Sequence, residues 1–448
     1  MLYLELRKKI QEKSKHVIVQ MNKLEYKSKT ELILDKMDIS LIGPDAFIEF
    51  ENIDNLNLDL NKLEILENGC FNYLHNLRKL SLYKNSIKII ESDVFISLEN
   101  LQFLDLSNNK LIVINSELFK HLIQLKTLIV KSNSIENCSL YELKNLNQLN
   151  LADNKLSALN SSLFISFMKN LQELYLDINS IERIEKKSLQ KCPKLLKLNL
   201  SVNKLEKLNK KCFKGLTHLI ELNLHQNSIR SIKLNTFISL ASLEKLILSS
   251  NKIELISESL FDGLYNLREL ILIENLIRTI EKNSFKYLKN LKSLSLNKNK
   301  IEKLSCSMFS GLENLTDLSL YGNLINEIES DCFYSLKKLQ SINLYNNKLD
   351  SIKKCYFNGL LNLEELYMDD NPIKSIEIDS FSQLKKLKII DLSDVIIDSS
   401  IHSIFTCLNN LEVLYADLGE IDECNFDYFN RLKIRLKNRY HYFFKVQF

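Results

Sequence analysis

Asparagine returns at a fixed beat through most of this chain. Asn61, Asn85, Asn109 and Asn133 stand 24 residues apart, a 21-residue step leads to Asn154, and a 25-residue step leads to Asn179. The 24-residue beat then resumes at Asn203, Asn227, Asn251, Asn275, Asn299, Asn323, Asn347 and Asn371. Each Asn closes the pattern LxxLxLxxN, as in Leu101, Leu104, Leu106 and Asn109. A short period carried this far overrides the two to four globular domains that 448 residues would otherwise suggest, taking about 150 residues to a domain. One small unit is repeated, and no copy can bury its apolar face alone, so the copies must stack.

Each slot has a physical job. The two leucines of LxL are two residues apart, share one face of a short strand and point into a core. The residues between them face the other way, onto the open face of a parallel sheet. Asn then ends the strand, because its amide can bond the backbone groups that a turning chain leaves unpaired. Replacing Asn61 by Leu would leave such a group buried, at a cost on the order of 1–3 kcal/mol.

Ten residues after each Asn slot comes a large apolar side chain. The series is Phe47, Phe71, Phe95, Phe119, Phe164, Phe213, Phe237, Phe261, Phe285, Phe309, Phe333, Phe357, Phe381, Phe405 and Phe429, with Leu189 standing in once and the slot lost after Asn133. An aromatic stripe at repeat spacing reads as a packed spine rather than a ligand box, since rings chiefly supply buried area. Val395 and Gly419 hold the beat without Asn, and Met37 fills the slot before Asn61. A slower period places Gly215, Gly263, Gly311 and Gly359 48 residues apart, each before a Leu, as if two-repeat blocks had been duplicated.

This pattern resembles the leucine-rich-repeat family, in the 24-residue class found in Toll-like receptor ectodomains, Slit, chaoptin and the acid-labile subunit. The resemblance implies an α/β solenoid: a curved horseshoe with a parallel β-sheet on its concave face and loops or short helical turns on its convex face. It divides the chain into a cap-like segment without cysteine at residues 1–28, about seventeen repeats over 29–436, and a basic, aromatic tail at 437–448. Within the first segment Val17, Val19 and Met21 alternate like a cap hairpin. Towards the other end Leu432, Ile434 and Leu436 alternate with Arg431, Lys433 and Arg435, as in a last strand whose charge protects an open edge.

Composition narrows the function. Sixty basic and 56 acidic residues nearly balance, so nothing demands nucleic acid, whose binders concentrate positive charge on one face. The nine cysteines include no CxxC pair, and they read as buried free thiols packing as small hydrophobes. The histidines show no metal-ligand spacing, and no phosphate loop, nucleophile elbow or zinc-protease motif occurs. Neither a cofactor nor a metal is expected, and an open sheet would not desolvate paired carboxylates enough for acid–base work. The expectation is a non-enzymatic scaffold that binds a protein ligand.

The first residues, MLYLELRKKIQEKSKH, do not read as a secretory signal, since Glu5 interrupts the apolar stretch and the charge follows it. The repeat class implies an extracellular or cell-surface recognition module of receptor, adhesion or matrix type. The missing signal, the absence of capping cysteines and the odd number of scattered thiols imply the alternative, an intracellular adaptor. Four glycosylation triplets, at Asn137, Asn160, Asn199 and Asn314, do not decide between them in so Asn-rich a chain.

Function should reside in the side chains that the core does not need. In the C-terminal third, Tyr321, Tyr345, Tyr367 and Tyr415 fall in concave slots with Asp317, Glu365, Asp369, Asp391 and Asp417 beside them. Tyrosine offers large contact area at low entropic cost, and carboxylates beside it suit a basic protein ligand. A second candidate patch is apolar: Ile247, Ile271 and Ile273 on adjacent columns.

Overall fold

The computed structural model describes residues 30–44, 46–140, 142–160, 168–186, 188–397, 404–405, 407–418 and 433–434. The cap-like segment, the tail, Phe164, Phe429 and Cys424 lie outside them. The chain divides into two units, one of residues 1–228 with 239–241 and one of residues 229–238 with 242–448.

In the first unit, strands of three residues pair in parallel, turn upon turn, from Glu31–Ile33 through Asn55–Asn57 and onward to Lys197–Asn199 and Glu221–Asn223. In the second unit the same ladder runs from Lys245–Ile247 to Val413–Leu418 and Lys433–Ile434. Register is one residue to one residue 24 positions later at most steps, as in Leu318↔Ile342 and Ile342↔Leu366, and 21 then 25 positions on either side of Leu149. The apolar residues of the LxL slots are buried throughout, Leu344, Leu366 and Met368 at 0 % exposure among them. Each unit is thus the stack of parallel turns that the period implied.

The asparagine ladder closes each turn onto the one before. Asn347 is fully buried and donates from Nδ2 to the carbonyls of Leu320, Leu344 and Tyr345 at 3.1, 3.0 and 3.3 Å. Its Oδ1 accepts the Ile325 amide at 3.1 Å. Asn85 does the same with Leu58, Leu82 and the Leu63 amide. Where Val395 replaces Asn, the strand does not stop: Ile389–Ile397 runs for nine residues and pairs with Val413–Leu418 across a bulge. Loss of the strand-ending amide explains that length.

The residue before each Asn takes a left-handed conformation, from Leu60 at φ 56° through Val202 at 53° to Asp370 at 54°. That conformation is costly for β-branched Ile178 and Val202, and it is held because the same residue's amide continues the ladder, as Lys84 does to the Ser107 carbonyl at 2.9 Å.

A second ladder crosses the far side of the turns. Asn76, Asn100, Asn290, Asn314, Asn362 and Asn410 each donate from Nδ2 to a carbonyl 25 residues earlier, at 2.6 to 3.0 Å. Asn314 also accepts Lys338 Nζ, and Asn199 bonds both Asp177 and the Ser201 amide, so the glycosylation triplets at these two positions are engaged in the fold.

The phenylalanines stack as a spine: Phe237 on Phe261 at 6.2 Å, Phe261 on Phe285 at 5.8 Å, Phe357 on Phe381 and Phe381 on Phe405 at 5.9 Å. The 48-residue glycine beat has a steric cause. At Gly263 and Gly311, each with φ above 90°, a Cβ would lie 2.5 Å from the Cα of Ile238 and Lys286 in the preceding turn. Eight residues after the slot Asn, Asn235, Ser259, Asn283, Asp331 and Asp379 are left-handed as well, and Asn and Asp tolerate that region best among residues with a side chain.

Candidate functional site

Four rows of side chains occupy the open face of the second unit over the turns from Asp317 to Asp394. The strand register gives the first two: Asp317, Ser341, Glu365, Ile389 and then Ser319, Asn343, Tyr367, Asp391, with Tyr415 next to Asp391. The third and fourth follow at 24-residue spacing: Tyr321, Tyr345, Asp369, Ser393 and Gly322, Asn346, Asp370, Asp394. No Lys or Arg occupies these positions.

The tyrosines and Glu365 are locally organised. Tyr321 and Tyr345 stand 6.1 Å apart with their rings tilted by 40°. Tyr367 donates its hydroxyl to Glu365 Oε2 at 3.2 Å, and Ser341 Oγ donates to the same oxygen at 3.2 Å. Asn343 Oδ1 accepts the Tyr345 amide at 2.9 Å, orienting the backbone that carries this ring. That bond recurs wherever Asn or Asp fills the second row, as at Asn57, Asp105 and Asn223. Tyr321, Tyr345, Tyr367 and Tyr415 are half-buried, Asp317 is exposed and Glu365 half-buried.

Asp391 departs from expectation. It has 0 % exposure, lies in register between Tyr367 and Tyr415, and accepts both the amide and the hydroxyl of Ser393 on one oxygen, at 3.1 and 2.6 Å. It therefore caps the backbone inside the sheet and offers no carboxylate to a partner. Asp369 is 8 % exposed. Asp370 and Asp394, which sequence reasoning passed over, join it: the Asp370 amide donates to Asp394 Oδ2 at 3.0 Å. Their signal was present as acidic residues just before the Asn slot, 24 apart. The side chain of Asp417 lies outside what the structure describes.

Electrostatics follow from this crowding. Burial pushes the Asp369 carboxyl up to about 8, and Asp391, Asp370 and Asp394 push the same way against its own amide. Burial raises Asp391 to about 6, opposed by the Ser393 hydrogen bonds. Burial and the Asp370 carboxylate raise the Tyr345 hydroxyl to about 12, and burial with Glu365 raises Tyr367. The face therefore gathers hydroxyl donors and carboxyl groups, with Asp369 holding its proton at neutral pH.

The first unit carries the same dyad in another setting. Tyr175 donates to Glu173 Oε2 at 3.0 Å, as does Gln148 Nε2. Lys197, in register with Glu173, places Nζ 3.8 Å from Oε1. In register with Glu365 stands Ile389 instead.

The apolar patch is smaller than expected. Ile247 and Ile273 are half-buried, but Ile271, flanked in register by Ile247 and Ser295, is 8 % exposed and is covered by its neighbours. Among the described residues no group of three or more His, Cys, Asp and Glu is placed to hold a metal ion. None of the described helices is long and apolar enough to cross a membrane.

The family profile Leucine rich repeat matches residues 51–111, 75–135, 144–205, 193–253, 241–301, 289–349 and 339–395. No curated protein matches the chain in sequence. Among solved structures it is similar to a leucine-rich-repeat protein of Leptospira interrogans, at 25 % identity and TM-score 0.66 over 90 % of this chain and 95 % of that one. It is similar to Toll of Drosophila in complex with Spatzle, at 22 % identity and TM-score 0.73 over 91 % of this chain but 54 % of Toll. It is also similar to TLR13 in complex with ssRNA13, at 22 % identity and TM-score 0.51 over 92 % of this chain and 85 % of that one.

Proposed function

Because the chain belongs to the leucine-rich-repeat family, we propose that it is a non-enzymatic recognition scaffold whose open sheet face binds a basic protein ligand through the tyrosines and carboxylates of the second unit. The observation that carries this reading is the contrast between two Glu–Leu–Tyr dyads. Glu173 has Lys197 alongside it, whereas Ile389 holds the matching place beside Glu365. An incoming Lys or Arg would supply the positive charge there, and charge-assisted bonds to a carboxylate are roughly twice as strong as neutral ones.

Tyr321, Tyr345, Tyr367 and Tyr415 would provide the contact area around that charge, as aromatic anchors do at interfaces. Toll with Spatzle supports a protein ligand by analogy of fold. TLR13 with ssRNA13 raises RNA as a second class, but a phosphate chain would be repelled by Asp317, Glu365, Asp370 and Asp394. The repeat class favours an extracellular or cell-surface receptor or matrix role. Free thiols at all eight described cysteines favour the intracellular adaptor instead.

Affinity capture from the native source with the wild-type chain and a Tyr345→Ala, Tyr367→Ala double variant tests the reading. A basic protein held by the first and lost by the second is the expected result. Retention of every captured protein by a folded double variant would overturn it.

A further inference from the structure

Two thiols of the second unit line one surface hollow away from the tyrosine face. Cys306 and Cys332 border a cavity of about 370 Å³ with Asp331, Tyr334 and Ser335. Cys306 opens the short 3-10 segment Cys306–Phe309 and is exposed, while Cys332 is buried at 1 %. The Cys306 thiol donates to the Ser330 carbonyl of the next turn at 3.0 Å, and its amide donates to Glu329 Oε2 at 3.2 Å. The chain then folds back at once: Cys332 donates its amide to the Glu329 carbonyl at 3.2 Å, around Asp331 in the left-handed region. Cys306 is thus pinned against the very turn that carries Cys332, in a place where side chains of stacked turns meet.

We propose that Cys306 and Cys332 form a reversible disulfide, with Cys306 as the outer, attacking thiol and Cys332 as the inner, resolving one. The bond would close a loop that contains the strand Asp317–Ser319 and Tyr321, tying two turns of the candidate binding face together from the far side. With glutathione disulfide as oxidant, the Cys306 thiolate attacks one glutathione sulfur, and the other leaves as a thiolate that takes up the proton Cys306 released. Cys332 then loses its proton and attacks the Cys306 sulfur, expelling the second glutathione, which is protonated in turn. The protein gives up two electrons and two protons, and one glutathione disulfide becomes two glutathiones.

The surroundings slow the exchange. Burial and the Glu329 carboxylate raise the Cys306 thiol, and burial, Cys306 and Glu329 raise Cys332. Thiolate is therefore scarce at neutral pH, and oxidation needs an abundant oxidant.

Peptide mapping of the native full-length chain after glutathione disulfide treatment tests the pair. Residues 304–337 contain no internal Lys or Arg, so both cysteines fall on one tryptic peptide, which glutamyl endopeptidase divides at Glu313, Glu327 and Glu329. The wild type should give that peptide lighter by two hydrogens, with its two cysteine-bearing fragments linked after the second digestion. In Cys332→Ala, Cys306 should keep a bound glutathione. A glutathione retained on Cys306 of the wild type, an unreactive Cys306, or a link from Cys306 to Cys355 would each overturn the assignment, and none of these readings depends on the variant folding.

Discussion

Tyr367 donates a hydrogen bond to Glu365 at 3.2 Å across the open face of one strand. The two residues are two apart, so they share a face, and Ser341 in the preceding turn donates to the same carboxylate oxygen. In the proposed complex a partner's cation would lie against the other oxygen, Oε1. Glu365→Gln keeps an acceptor for both donors and removes the charge. Affinity for the basic ligand should fall about tenfold, the loss expected when a charge-assisted bond worth about 1.5 kcal/mol is weakened. The salt dependence of binding should weaken with it, while the melting temperature stays within a degree or so. Titration of the captured ligand at two ionic strengths checks both.

Asp369 makes the second unit sensitive to alkali. In the unfolded chain its carboxyl ionises at the ordinary value, about 4, whereas burial and Asp391, Asp370 and Asp394 raise it to about 8 in the fold. The folded state therefore binds the proton more tightly, so this group's contribution is fully present below about pH 4 and declines as pH rises to about 8. Asp391, raised to about 6, adds to the decline between about pH 4 and 6. Asp369→Asn should flatten the upper part of that slope and melt above the wild type at pH 8. Thermal melts of both proteins from pH 5 to 8.5 read this directly, and parallel curves would contradict it.

Asn347→Leu tests the ladder. The substitution removes donors from Leu320, Leu344 and Tyr345 and the acceptor of the Ile325 amide, all in a fully buried position. Each orphaned buried group costs about 1–3 kcal/mol, and the total should exceed the loss from any single one. Urea unfolding followed by circular dichroism should show the second unit unfolding at clearly lower denaturant. Asn137→Leu, at an exposed position outside both ladders, should leave the midpoint nearly unchanged.

The fold was legible because period and slot chemistry agree: LxL buries, Asn ends the strand, and Phe stacks. The second ladder is equally legible, since Asn76, Asn100, Asn290, Asn314, Asn362 and Asn410 all precede the first Leu of a repeat. The left-handed residue before each Asn carries no type signature, because Leu60, Val202 and Glu274 are placed there by the bonds around them. Nor could residue type reveal that Asp391 is buried. That depends on Tyr367 and Tyr415 flanking it in register, a relation between turns rather than within one. The glycine beat looked like duplication alone until the close approach of Ile238 to Gly263 supplied its cause.

Hydroxyl-radical footprinting of the chain with and without its captured ligand tests the central claim most directly, because the candidate face is read through its own tyrosines. Tyr83 and Tyr175, on the open face of the first unit, serve as internal references. Ligand should slow oxidation of Tyr321, Tyr345, Tyr367 and Tyr415 several-fold and leave Tyr83 and Tyr175 unchanged. Unaltered oxidation of the four tyrosines at saturating ligand would place recognition elsewhere on the molecule.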